Sequence, residues 1–513
     1  MKRFFLILIM VLALSYAKGQ YHDAKWVLCD GYNNFWNNVI LDFNNSQAPQ
    51  VQIASTYVPM LGENTSVSDS VGNLLFFTNG TRLFDRNLNF MPGGILIPPL
   101  DTNGMYSGLA QRQGCMFLPW PDDTNKYVLL HTTKELALPQ TYPGFIPYHL
   151  PRHLYMTVLD KSMNGGLGGI VNINQIIVLD TLTNWGGGLS VTKHANGRDW
   201  WILVKKHYKN KFYKFLLTPS GIQSMGFQLI GLDNQARHLD YYSFSPNGSV
   251  LAGNIAFSAY AHDIVLFNFD RCTGVLSNHQ IIFNPNNPNH GCEDLDFSPN
   301  SRYLYATERV KIFQYDLQNI NIAGAVQSTR VVVADTAFSS VTCDPPSTTT
   351  VKIQYPLGAL AADGRIYYPP SFSCQKLSYF NSPDSAGLLS DFVYGGLNIT
   401  NLHATSLPYF PNYRLGPVVG SVCDTLSVGL NELQASNVLL YPNPAKSDLT
   451  ISLGRVCNTI NLRMYSLQGQ LLLTQHWNVG NALTLALPQL SKGLYMVEII
   501  CDEGVVVKKV VVE

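Results

Sequence analysis

The chain has 513 residues, with 34 Lys+Arg against 34 Asp+Glu; charged residues make up 13%, hydrophobic residues 46% and aromatic residues 12%. At ~150 residues per domain this length holds about three domains, or two if one is a large all-β unit. Zero net charge excludes a broad electrostatic footprint for nucleic acid, and the hydrophobic content excludes a disordered chain.

The first element in chain order is an address. Lys2 and Arg3 precede an apolar run from Phe4 to Leu14, and Ser15-Tyr16-Ala17 supplies a small-x-small cleavage site. About eleven apolar residues fall short of the ~20 that cross a bilayer. Residues 1–20 therefore read as a secretory signal peptide, and no later segment has the length of a membrane-spanning helix. Export places the nine cysteines in an oxidising compartment, and none of them forms a CxxC pair. Local disulfides are expected, with Cys272–Cys292, Cys343–Cys374 and Cys457–Cys501 as candidate pairs.

Residues 21–415 read as short strands cut by Gly, Asn, Asp and Pro, with no stretch that keeps a helical apolar period. Strands are expected at Leu74–Phe77, Tyr127–Leu130, Trp200–Val204, Lys211–Leu217, Ile264–Phe269 and Val310–Tyr315. Tyr242-Ser243-Phe244-Ser245-Pro246-Asn247-Gly248 recurs 53 residues later as Leu295-Asp296-Phe297-Ser298-Pro299-Asn300-Ser301. Ala361-Ala362-Asp363-Gly364 is a looser copy. A strand, a tight turn, a second strand, a spacer and a further strand make one four-stranded sheet per ~50 residues, and radial repetition of such sheets is a β-propeller. These turns resemble the FSPDG-type turns of secreted WD-repeat-like propellers. With two close copies of the repeat, six to eight blades are expected, with seven favoured.

A Ser/Asn/Leu-rich linker is expected over 416–436, and residues 437–513 read as a small Ig-like β-sandwich of period-2 strands. Its landmarks are Tyr441-Pro442-Asn443-Pro444, then Tyr465 with Gly469-Gln470, then Leu490-Ser491-Lys492-Gly493-Leu494-Tyr495, then Lys508-Lys509 among valines. In this order they resemble the C-terminal sorting domain, type A, of proteins exported by the type IX (Por) secretion system of Bacteroidota. The resemblance implies recognition by the outer-membrane secretion machinery, removal by a sortase-like peptidase, and a secreted or outer cell-surface location reached through the periplasm. The prolines at 442 and 444 exclude a paired central strand there. Gly469 and Gly493 are expected at positive φ. Five Asp-Ser/Thr-small or apolar triplets, among them Asp69-Ser70-Val71 and Asp384-Ser385-Ala386, resemble the O-glycosylation sequon of Bacteroidota and read equally well as Asx turns.

Chemistry-bearing residues are sparse. His290, Glu293 and Asp294 flank Gly291-Cys292, and His238, Asp240, His262 and Asp263 sit near expected blade starts, which makes all seven candidate channel residues. Trp185 and Trp200-Trp201 are candidate aromatic platforms, with core packing the commoner role for such residues. No nucleophile elbow, zinc-protease helix or phosphate loop is present. No catalytic, metal or cofactor set is assigned. A binding module for an extracellular protein, peptide or glycan is the expected function. A hydrolase or lyase with its site in the channel, or a structural or adhesin component of the surface, is the alternative.

Overall fold

The structure is a computed structural model. It describes residues 20–29, 38–44, 48–60, 62–96, 108–109, 113–132, 135–136, 149–150, 153–180, 188–207, 209–233, 241–258, 261–282, 292, 294–308, 310–335, 340–342, 350–352, 358–369, 375–399, 407–424, 438–466, 471–501 and 504–513. Contacts divide the chain into two units, Met1–Asp424 and Thr425–Glu513.

Among the described residues, the first unit holds seven sheets that follow one another along the chain, at 25–53, 65–95, 115–179, 189–229, 242–282, 294–335 and 359–398. The first has three strands and the others four, each an antiparallel meander in chain order. Two-stranded hairpins branch off within the third sheet (Glu135–Leu136 with His149–Leu150) and after the sixth (Ser340–Thr342 with Thr350–Lys352). The expected strands coincide with observed ones, save that Val310 lies one residue outside its strand, Lys311–Asp316.

Side-chain alternation along these strands closes the sheets into a ring. In a strand, successive side chains face opposite sides, so a sheet flanked on both sides must be apolar at every position. Trp200-Trp201 shows this directly. Trp200 packs into a cluster with Met116, Leu118 and Val128 of the preceding sheet, whereas Trp201 packs with Tyr242, Phe244 and Val265 of the following one. Both indoles are buried, so neither serves as an exposed platform; Trp185 lies outside the described residues. Phe76 and Phe77 divide in the same way, as do Leu304 and Tyr305. The last cluster joins Trp26, Val39 and Leu41 of the first sheet to Ala359, Tyr367 and Leu377 of the seventh. This is a seven-bladed β-propeller. Its first strands lie against those of neighbouring blades and are almost wholly buried, while its last strands, such as Gln50–Ile53 and Gly221–Leu229, are largely exposed.

The recurring turns have one physical basis. An Asx side chain accepts the amide two residues on, as Asn247 does from Ser249, Asn300 from Arg302, Asp363 from Arg365 and Asp69 from Val71. The residue directly after the Asx then takes positive φ, at Gly248 (71°), Gly364 (83°) and, without a glycine, Ser301 (64°). At Gly248 space matters too, because an added Cβ would lie 2.5 Å from Thr192 Oγ1.

Residues 407–424 belong to this unit. Tyr413 is buried against the third and fourth blades and donates its hydroxyl to Phe117 O (2.7 Å); Asn412 donates to Pro246 O (2.8 Å). The Val418 amide bonds Ala195 O, Arg271 donates to Gly416 O, and Cys423 forms a disulfide with Cys272. Residues 416–424 are therefore pinned to blades 4 and 5 rather than forming linker. The disulfide also corrects the Cys272–Cys292 pairing: nearness in sequence suggested Cys292, but the strap formed by residues 407–424 brings Cys423 to Cys272 from 151 residues away. The Cys343–Cys374 and Cys457–Cys501 pairings involve side chains outside the described ones.

The second unit is a sandwich of two sheets. Leu439–Tyr441, Asp448–Cys457 and Gly480–Ala486 form one; Leu471–Trp477, Ile460–Ser466, Gly493–Cys501 and Gly504–Val512 form the other. Leu449, Ile451, Leu462, Met464, Val497 and Val510 fill the space between them. The edge strand ends at Tyr441, as the prolines require, and Asn443 then stands in for strand backbone. Its Oδ1 accepts the Val511 amide (2.8 Å), its Nδ2 donates to Lys509 O (3.2 Å), and the Ala445 amide continues the ladder to Val511 O. Lys509 is exposed and Lys508 half-buried on this same last strand. Tyr495 donates to Ser491 O (2.7 Å) just across Gly493-Leu494. Gly493 opens its strand with φ outside the left-handed region, so the expected positive φ is absent there; Gly469 lies outside the described residues. Asn443→Ala removes two hydrogen bonds at an exposed edge and should lower the stability of this unit by about 1 kcal/mol. Faster hydrogen exchange at the Val511 amide is the measurement that checks it.

Candidate functional site

The first strands ring the propeller axis, and the segment 407–414 crosses one mouth of the channel they enclose. Tyr409 and Asp296 line the cavities on both sides of this crossing. The lower cavity, about 280 Å³, is walled by Phe244, Pro246, Phe297, Pro299, Phe410 and Pro411. The repeated turns supply the first four of these residues and the strap the last two. Its charged members are few. Asp23 and Arg414 form a bidentate pair at 2.6 and 2.7 Å, and Asp296 lies at the floor.

The upper cavity, about 30 Å³, is lined by Glu63, Asn64, Gln113, Asp294, Asp296 and Tyr409, among others. Asp294 and Asp296 alternate along the strand Asp294–Phe297, which puts both carboxylates on one face. Both are buried, and the Gly358 amide donates to Asp294. Burial first, and then the neighbouring Asp294 charge, raise Asp296 well above the carboxylate range, against the Tyr368 hydroxyl beside it. The Tyr409 hydroxyl, donated to Ser243 Oγ (3.1 Å), is pushed up by burial and by the same two carboxylates.

Glu63 is buried on the adjoining wall and accepts the Gly114 amide at 2.7 Å. Burial raises it from 4.5 to about 8. An acid raised on folding holds its proton more tightly in the native state, so its contribution is full below pH 4.5 and is lost as pH rises through 8. At ~1.4 kcal/mol per pH unit the loss is on the order of 4 kcal/mol. Glu63→Gln keeps the acceptor without the charge. Its melting temperature should overtake that of the native protein progressively between pH 5 and 8, as read by thermal melts across that range.

A third cavity, about 340 Å³, is lined by Gln20, His22, Trp120, Asp122, Lys193 and Arg198, among others. The Lys193 ammonium is buried 4.8 Å from the centre of the Trp200 ring and donates to Gln20 Oε1 and Gly197 O (both 3.1 Å). Burial, then Arg271, lower it to about 8. His22 bonds Ser68 O (2.7 Å) and meets Tyr127 and Tyr413 edge-on; burial lowers its pKa.

Of the seven candidate channel residues, Asp294 lines the upper cavity. Asp263 is buried on the third strand of blade 5 and lines none of these cavities, because third strands stand away from the axis. His262 belongs to the same strand. His238, Asp240, His290 and Glu293 lie outside the described residues. Among the described residues, no three His, Cys, Asp or Glu side chains converge as a metal cluster. Asp296, Glu63, Lys193 and Tyr409 were not among the expected site residues. The Asp-x-Asp alternation in an expected strand was the signal for Asp296.

No curated protein matches the chain. Solved structures resemble it distantly. A functionally unknown protein from Desulfotomaculum acetoxidans shares 11% identity over 75% of this chain and 99% of its own, at a TM-score of 0.38. A proposed 6-phosphogluconolactonase from Bacteroides uniformis gives the same identity, coverage and TM-score. A β-propeller domain from Myceliophteria thermophila shares 10% over 65% of this chain and 87% of its own, at 0.30. At this distance they say nothing of a shared ligand. No helix among the described residues is long and apolar enough to cross a membrane. Residues 439–513 match the secretion system C-terminal sorting domain family, which supports export by the type IX system and makes this a protein secreted to the cell surface.

Proposed function

We propose that this is a Bacteroidota surface protein whose propeller binds an extended peptide segment of an extracellular partner in the lower cavity. In this reading the sorting domain engages the type IX machinery and is removed by a sortase-like peptidase. The carrying observation is the wall of that cavity: Pro and Phe side chains, with one already paired Asp–Arg couple and the buried Asp296 carboxyl as its ionisable members. Apolar walls with few fixed charges suit a neutral chain, and Pro- and aromatic-lined grooves recognise extended peptides through shape and backbone polarity. A hydrolase or lyase would need an open acid–base pair, whereas the Asp294–Asp296 pair lies against Tyr409.

An array of neutral peptides containing proline and aromatic residues, probed with the secreted protein and its Phe410→Asp variant, tests this reading. Binding that falls at least about tenfold in the variant supports it, since burying a carboxylate against apolar walls costs several kcal/mol. Unchanged binding refutes it. A glycan ligand is the second reading, favoured by the third cavity, where half-buried Trp120 sits beside Asp122, Lys193 and Arg198. Binding of polysaccharides that is lost in Trp120→Ala would select it.

A further inference from the structure

We propose that the third cavity takes the carboxylate of an acidic sugar, a uronic acid of an extracellular polysaccharide, with Lys193 as the residue that selects its charge. This selection rests on the glycan reading of the cavity and is independent of what the lower cavity binds.

The first observation is a buried cation without an anion. Lys193 lines the cavity and is 4% exposed. Two of its three N–H groups are spent on uncharged acceptors, Gln20 Oε1 and Gly197 O. The Trp200 ring beside it supplies a quadrupole and no charge. The neighbouring Asp199 carboxylate is held by Arg198 (2.7 Å) and Asn196 (2.8 Å). Arg271, which adds its own charge to the surroundings of Lys193, is buried and donates to the carbonyls of Lys193, His194 and Gly416. Among the described residues no carboxylate pairs with either cation. A buried charge without a counterion is costly, and a carboxylate brought by a ligand relieves that cost.

The rest of the wall narrows the anion. Arg198 also lines the cavity, but its guanidinium is taken by Asp122 (2.8 Å) and Asp199, so it offers no open fork to a phosphate or sulfate. Asp122 and Asp123 repel a multiply charged ligand, while their oxygens accept hydrogen bonds from sugar hydroxyls. Trp120 is half-buried, and its Nε1 donates to Pro219 O (3.2 Å), which fixes the indole as an apolar face for a sugar ring. At about 340 Å³ the cavity stands at the small end of ligand pockets and suits a few sugar units. One carboxylate on a hydroxyl-rich ring matches the ammonium, the acceptor oxygens and the indole together; the C-terminal carboxylate of a peptide matches the ammonium alone.

The test uses the full chain and calorimetric titration. The probes are short oligomers of galacturonate, mannuronate and glucuronate, each as the free acid and as its methyl ester, which keeps the ring and removes the charge. At least one acid should bind at least about tenfold more tightly than its ester, the effect of a charge-assisted hydrogen bond. Lys193→Met keeps the apolar stem against Trp200 and should bring that acid down to the affinity of its ester. The acid–ester comparison is made on the native protein, so it decides the matter without the variant. Equal binding of acid and ester overturns the proposal and leaves the glycan reading standing; no binding of either overturns both. A preference for the acid that survives in Lys193→Met overturns it as well, as does tighter binding of short peptides through a free C-terminal carboxylate.

Discussion

A chain ending at Asn437 is expected to remain in the periplasm, with the native protein found at the surface. The sorting domain has its own core, from Val438 to Val512, and the propeller has closed its ring by Asp424. Truncation therefore removes an address and leaves the first unit with its own core complete. Surface labelling of whole cells against periplasmic extracts should show a loss of surface signal of at least about tenfold. A truncated protein that still reaches the surface would sink the sorting assignment. Loss from both compartments would mean that the propeller had been destabilised instead. A disulfide-intact, protease-resistant periplasmic propeller is the expected companion result.

The second large effect is at Trp26. Its indole is fully buried where the first blade meets the seventh, with ring centres of Phe43 at 4.7 Å, Tyr367 at 5.9 Å and Phe410 of the strap at 6.1 Å. Among the described residues no backbone ladder joins these two blades, since the strands of blade 1 lie within 25–53 and those of blade 7 within 359–398. Side-chain packing carries the seam. Trp26→Ala should cost about 3–5 kcal/mol and lower the melting temperature by roughly 10 °C. Trp26→Phe is the control. The indole Nε1 is buried without a partner, so replacing it removes an unmet donor along with some volume, and the loss should be well under half that of alanine. Equal losses in the two variants would mean that the seam is held elsewhere.

What could be read from residue order alone was whatever repeats locally. Alternation in Trp200–Val204 and the Asn247-Gly248 turn are properties of a few consecutive residues, and both survive folding unchanged. Landmarks such as Asn443 were legible as a pattern, but their role was not, because Lys509 and Val511 lie across the sandwich. The strap escaped for the opposite reason: Pro408, Pro411 and Pro417 give it no period, and its structure is dictated by distant partners. The Asp294–Asp296 face could have been inferred from strand alternation. That Asn64 and Gln113 complete it could not, since they come from the approaches to blades 2 and 3.

The Cys272–Cys423 bond encloses blades 6 and 7 whole, together with the strap. Held together in the unfolded chain as well, two residues 151 apart lose about 5 kcal/mol of loop-closure freedom that folding no longer has to remove. The bond thus works as a tether that ties the end of the strap to blade 5 and keeps blades 6 and 7 within one covalent loop.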